Sequence, residues 1–263
     1  MMHMIVDYQS LKTIYENNLT VRHIAEDLDV RDIEEDAVKV KELLETRGFD
    51  SIGIRQGSRL IGYVEVEELA EGACRHFMKS FHSTELITNS TPLIEIFELL
   101  QEKRRLFVLT KNEVSGIVTF ADLQKPPIRM LLFGIISLLE MHMLELIRKF
   151  HPNGGWKGLI TEKRLRDAEK LYAQQKERNE EMDLLDNLQL SDKREILLDT
   201  QEIIEQLQLQ SKTQGEKLFK QIEKLRNNLA HARDITNGTS WSEVIPLVKQ
   251  VEGLIRKSEK IVL

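Results

Sequence analysis

A ten-residue pattern occurs twice in this chain, and it constrains the fold more than any other feature. Leu60-Ile-Gly-Tyr-Val-Glu-Val-Glu-Glu-Leu69 aligns without a gap on Val114-Ser-Gly-Ile-Val-Thr-Phe-Ala-Asp-Leu123. Gly62 falls on Gly116, Val64 on Val118, Glu68 on Asp122 and Leu69 on Leu123. The register extends backwards, because the apolar run Ser51–Ile54 meets Arg105–Val108. An amphipathic helix is expected before each run, over Val38–Thr46 and Leu93–Glu102. Gln56-Gly57 and Lys111-Asn112 are the turn signals between strands. Each unit therefore reads as helix, strand, turn, strand, helix. A tandem of such units implies two pseudo-symmetric halves packed together, with clefts between them.

The second copy carries the sharper chemistry. Gly116, Thr119 and Asp122 stand at three-residue spacing where a β-branched strand runs into a helix start. Free N–H groups at a helix N-terminus favour an anion beside Thr119. Asp122, one turn on, can accept hydrogen bonds from two adjacent hydroxyls. Phosphate recognition and diol recognition one turn apart suit a ribonucleotide. Thr119 and Asp122 also satisfy the pattern of a capping box, [ST]-x-x-[DE], and the motif alone leaves both readings open.

From about Leu19 to Asp122 the chain resembles a tandem pair of cystathionine-β-synthase-type (CBS) domains, a regulatory module. Gly-Ile-Val-Thr-Phe-Ala-Asp-Leu is similar to the strongest motif of that family. The resemblance implies an adenine nucleotide (AMP, ATP or a related adenosyl compound) as a regulatory ligand, with no obligatory cofactor. It implies that Thr119 contacts the phosphate or ribose, Asp122 the ribose hydroxyls, and the strand near Ile87 the base edge. The first copy departs from the pattern, with Glu65 in the place of the threonine and Glu68 in that of the aspartate. Two carboxylates there would repel a phosphate. One competent site is expected, in the second repeat.

With 263 residues the chain has room for two domains. The boundary is expected at Gln124-Lys125-Pro126-Pro127, where strand and turn signals stop. This gives a CBS module over 1–126, with repeats about 19–75 and 76–126, and an all-α domain over 127–263; the fold class is α+β. Six of the thirteen glycines lie between Gly48 and Gly116, and none occurs between Gly158 and Gly215. Helices are expected over about Ile128–Phe150, Thr161–Glu181, a stretch after Ser191-Asp192, Gln214–Arg233 and Ser240–Glu259. A single cysteine, Cys74, excludes an internal disulfide and offers no metal cluster. The most apolar run, Met130–Leu139, is too short to span a bilayer and reads as a buried helix. The N-terminus has no signal-peptide pattern, and the location is expected to be cytoplasmic. A net charge of -6 leaves no protein-wide basic field for duplex DNA or anionic lipid. His76 and His82 lack an acidic or thiol partner at ligand spacing, and the acidic stretch Glu65–Glu71 reads as a solvated helix face.

The fourth expected helix carries Leu225-Arg226-Asn227-Asn228-Leu229-Ala230-His231. Taking Leu218, Ile222, Leu225 and Leu229 as its core stripe, a wheel at about 100° per residue puts Arg226, Asn227 and His231 in one outward sector. From spacing alone this is an ordinary solvated face. In context, residues 128–263 resemble the HEPN (higher eukaryotes and prokaryotes nucleotide-binding) superfamily, whose Arg-x4-6-His motif the phrase matches. That resemblance implies a metal-independent endoribonuclease or RNA-binding effector working as a homodimer. His231 would be the general acid or base and Arg226 the phosphate clamp. Asn227 would orient the substrate, with Glu140 a further polar candidate. The alternative is a non-catalytic nucleotide-sensing scaffold that binds a protein partner.

Overall fold

A computed structural model describes residues 8–178, 183–231 and 233–262. The chain forms two compact units, one of Ile14–Pro127 and one that joins the N-terminal residues up to Thr13 with everything from Ile128 onward. The N-terminal helix α1, Tyr8–Asn18, has no counterpart among the elements expected from sequence.

In the first unit, two similar halves each contribute a helix and a three-stranded ladder. The first half holds β2 (Val30–Asp32), α2 (Ala37–Arg47), β3 (Ser51–Gln56) and β4 (Arg59–Glu65). The second holds β5 (Leu86–Thr88), α3 (Leu93–Glu102), β6 (Arg105–Thr110) and β7 (Glu113–Thr119). Local chemistry sets these bounds. Asp36 caps α2 by accepting from the backbone N–H groups of Val38 and Lys39, and Gly48 at φ 67° ends it. Lys111 and Asn112, both at positive φ, make the two-residue turn of the second hairpin. The apolar face of α3 buries Leu93, Ile96, Phe97 and Leu100.

The two halves are interlocked. β1 (Glu26–Asp27), which leads into the first half, pairs antiparallel with β7 of the second, opposite Ile117 and Gly116. The segment leading into the second half pairs with the first, Lys79 bridging to Tyr63 on β4. The sheet orders are β1-β7-β6-β5 and β2-β3-β4. Gly62 and Gly116 make this exchange sterically feasible. A Cβ on Gly62 would stand 2.3 Å from the Lys79 carbonyl oxygen, and one on Gly116 2.8 Å from that of Glu26. The closing α-helix expected of each repeat is instead a short 3₁₀ turn, Val66–Glu68 and Phe120–Gln124.

The second unit is helical. α4 (Pro126–Phe150) buries Ile128, Leu131, Ile135, Leu138, Leu139 and Leu146 among others. It ends at Phe150, and Asn153 and Gly154 in the turn that follows are both left-handed. The apolar run Met130–Leu139 lies within α4, which by length and composition alone is long enough to cross a bilayer, with a window of mean hydropathy 1.9; 56% of that window is buried inside the fold. Met130, Phe133 and Met141 are its exposed apolar side chains, at 61%, 46% and 41%. α5 (Glu162–Glu177) buries only Ala168, and the last residues expected of it, to Glu181, lie outside the described residues. The single helix expected after Ser191-Asp192 is two, α6 (Leu190–Leu198) and α7 (Gln201–Gln206). Thr200 marks the break: its hydroxyl donates to the Ile196 carbonyl and meets His151 Nε2 at 2.7 Å. α8 (Lys212–Ala230) stops three residues before the expected Arg233, and α9 is Trp241–Val262.

His142 on α4 is fully buried, and neither ring nitrogen has a hydrogen-bond partner among the described residues. Glu259 Oε1 stands 3.8 Å from its Nε2. Burial holds the imidazole below its ordinary value, opposed by the carboxylates of Glu259 and Glu145. The unfolded chain therefore takes up this proton before the folded protein does. Stability is complete above the unfolded value of about 6.5 and is lost as pH falls below it. Between about pH 7.5 and 5.5 the melting temperature should fall, with His142 contributing part of that drop. In His142→Leu that component should vanish, which calorimetric melts across the range would check.

Candidate functional site

The two carboxylate-bearing turns lie at equivalent ends of β4 and β7 and are wired differently. In the second repeat, Thr119 and Asp122 form the reciprocal bonds of a capping box. The Thr119 N–H donates to Asp122 Oδ2 at 2.7 Å, and the Ala121 N–H donates to Thr119 Oγ1 at 3.3 Å. The Thr119 hydroxyl also donates to Asp122 Oδ2, at 3.2 Å. Asp122 is buried, with 5% of its surface exposed. Its other oxygen, Oδ1, pairs with Lys125 Nζ at 2.8 Å. The same ammonium donates to the Ile24 carbonyl at 2.5 Å and to Glu26. Burial pulls the Lys125 ammonium down, but hydrogen bonds to Asp122 and Glu26 outweigh it and raise its titration above the ordinary value. The turn has five residues and its hydroxyl cap is already engaged, so no long helix dipole points at Thr119, contrary to the expectation from sequence.

The equivalent turn of the first repeat is filled with charge. Glu65 pairs with the guanidinium of Arg105 and, at 3.0 Å, with Lys79; Glu68 pairs with Lys79 at 2.6 Å. These glutamates are not the simply solvated face that composition suggests, since Glu65 exposes only 24% of its side chain. Arg105 lies nine-tenths buried, 4.8 Å over the Tyr63 ring, on an aromatic cluster with Phe81 and Phe107. Arg105 occupies in β6 the place that Ser51 holds in β3, and its strand partner is Thr119, as Glu65 is that of Ser51. The first repeat thus sets glutamate opposite serine in its ladder, and the second sets threonine opposite an arginine whose guanidinium reaches across to Glu65.

Ile87 sits buried in the middle of β5, opposite Val108 of β6, which in turn lies opposite Gly116. It is thus two strands across and three residues along from Thr119, roughly 14 Å at ordinary strand spacings. A nucleoside monophosphate is long enough to bridge such a gap, but no direct contact joins Ile87 to the capping box.

In the helical unit, Arg226 is half-exposed, with its Nε 3.6 Å from Glu140 Oε1 on α4 and its Nη1 donating to Asn227 Oδ1 at 3.4 Å. Glu140 Oε2 also holds Lys193 at 3.2 Å, a lysine whose side chain is only 6% exposed. His231 is the C-cap of α8 and exposed, its N–H donating to the Asn227 carbonyl at 3.1 Å. The structure thus groups Arg226, Asn227, Glu140 and Lys193. No ring hydrogen bond ties His231 to that group among the described residues. The core stripe of α8 is Phe219, Ile222, Leu225 and Leu229, with Leu218 only half-buried. Moving the stripe by one residue turns Asn228 inward. It is 4% exposed and donates to the carbonyls of Ile235 and Asn237, anchoring the loop to α9.

Other reactive groups are quiet. Cys74 is buried and its thiol is pushed up to about 11 by burial, then by Glu35 and Asp36. His82 accepts from the Thr84 N–H, and His76 packs edge-on against Phe77. No three His, Cys, Asp or Glu side chains are grouped to hold a metal among the described residues.

The sequence matches no protein-family model and no curated protein. Similar solved structures include CBSX2 from Arabidopsis thaliana, 18% identical over 42% of this chain and 95% of that one, with a TM-score of 0.37. CBSX2 in complex with AMP is 20% identical over 42% of this chain and 97% of that one, TM-score 0.37. A CBS domain-containing protein of unknown function from Bacillus anthracis is 13% identical over 43% and 94%, TM-score 0.36.

Proposed function

We propose that this chain is an adenine-nucleotide-sensing regulatory protein acting as a homodimer, with Ile14–Pro127 as a CBS-type pair and the helical unit as its effector. One observation carries the nucleotide reading: the two halves share a backbone plan but differ in charge at equivalent turns. Glu65 and Glu68 are charge-paired with Arg105 and Lys79. Thr119 and Asp122 keep the small hydroxyl and the single carboxylate that a phosphoribosyl group requires. A carboxylate has about four acceptor positions, and the Thr119 N–H, the Thr119 hydroxyl and Lys125 occupy three of those on Asp122.

Calorimetry with AMP and ATP tests this reading. Thr119→Ala and Asp122→Ala should each weaken binding at least about tenfold, the cost of a lost hydrogen bond to a charged group. Unchanged affinity in both would remove the site. A purely capping role predicts lower melting temperatures with binding intact.

For the effector, two readings remain. The outward Arg226, Asn227 and His231 fit a metal-independent endoribonuclease in which a partner copy completes the cleft. Glu140 favours the scaffold reading, because it already pairs with both Arg226 and Lys193. Total RNA incubated with excess EDTA, with and without adenine nucleotide, separates them. As an endoribonuclease the protein cuts RNA but not DNA, leaving 2′,3′-cyclic or 3′-phosphate ends, and His231→Ala loses about 10²–10⁴-fold in rate. Intact RNA under every nucleotide condition, or equal cutting by His231→Ala, would leave the scaffold.

A further inference from the structure

Lys125 sits at the junction of the second-repeat turn, the Ile24 carbonyl and β1. Its ammonium meets Asp122 Oδ1 at 2.8 Å, the Ile24 carbonyl at 2.5 Å, and the carboxylate of Glu26. An ammonium has three protons to donate, so this set saturates it. The side chain is 28% exposed, so the group is at the mouth of the turn rather than beneath it. Asp122 is the reverse, its side chain 7% exposed, and Lys125 is the cation paired with its Oδ1 oxygen.

On the nucleotide reading above, we propose that Lys125 is the specificity-determining residue of the second-repeat site, a counter-ion that selects phosphorylated nucleosides over free ones. A ribose reaching Asp122 meets the ammonium at the Oδ1 oxygen. A neutral nucleoside offers the displaced lysine nothing in exchange. A nucleotide brings its own anion to the Thr119 end of the same turn, three residues from Asp122 and within reach of a four-carbon stem. The ammonium then trades one carboxylate for a phosphate, and charge stays paired throughout. The first repeat has no such device. Its lysine, Lys79, is held between Glu65 and Glu68, and a glutamate replaces the hydroxyl end where a phosphate would arrive.

Two variants of the full chain, titrated calorimetrically with AMP and with adenosine, test the assignment. Wild type should prefer AMP over adenosine. Lys125→Met should bind adenosine more tightly and AMP more weakly, so that the AMP/adenosine preference falls by about tenfold. Glu26→Gln removes a competing carboxylate that is 65% exposed, so the fold should be kept. It should leave adenosine unchanged and tighten AMP about threefold, since lysine is released more readily. Wild type that binds neither ligand overturns the nucleotide reading and this role together. Wild type that binds AMP, while a folded Lys125→Met keeps the same preference or Glu26→Gln leaves AMP unchanged, overturns the role of Lys125 alone.

Discussion

The close approach of two backbone segments at Gly62 and Gly116 is the constraint on which the first unit depends. Each half sends its entry segment to the edge of the other's hairpin, Glu26-Asp27 onto β7 and Lys79 onto β4. Neither glycine has a positive φ, so the requirement is space rather than backbone conformation. A side chain at either position would have to displace a paired carbonyl. The exchange makes the halves mutually dependent: neither completes its sheet edge without the other. It also places each carboxylate-bearing turn directly beside a segment from the opposite half.

That placement explains the two lysines. Lys79 belongs to an entry segment and reaches Glu65 and Glu68 at the motif turn. Lys125 belongs to the motif turn's exit and reaches the entry segment at Ile24 and Glu26. Both tie the exchanged segment to the turn, from opposite directions. Their surroundings then diverge. At the first half's turn, Arg105 from the second half closes over Tyr63 and Glu65, giving a dense ionic contact backed by aromatic rings. In the second, Thr119 and Asp122 bond mainly to each other. A pseudo-symmetric fold has thereby become electrically asymmetric, one turn holding two glutamates against Arg105 and Lys79 and the other one aspartate against Lys125.

Much of the first unit was legible in its repeat. The alignment of 60–69 with 114–123 correctly locates the hairpins, the preceding helices and the turn residues, because each has a local cause: alternating apolar runs, Asp36 and Gly48 as caps, Lys111-Asn112 as a left-handed turn. What was not legible is tertiary. The short strands β1 and β2 are two and three residues long and carry no periodic signal, and β5, near Ile87, was placed only by the family resemblance. The closing 3₁₀ turns obey the same capping pattern as a true helix start, so sequence could not distinguish them. In the helical unit a stripe misplaced by one residue, Leu218 for Phe219, hid the buried Asn228. Lys193 and Arg105 were missed for a different reason: long cationic side chains are normally exposed, and only their partners Glu140 and Glu65, distant in sequence, explain their burial. The polar trio on α8 was visible as a motif, but the ion pair that holds Arg226 was not.

The electrical asymmetry of the two turns is best tested by amide hydrogen exchange on the full chain, with and without saturating AMP. Slowed exchange should be confined to Thr119–Asp122 and the paired entry segment Glu26-Asp27, while Glu65–Glu68 exchanges at an unchanged rate. Equal protection of Glu65–Glu68, or bound AMP with no protection at Thr119–Asp122, would contradict a single competent turn in the second repeat.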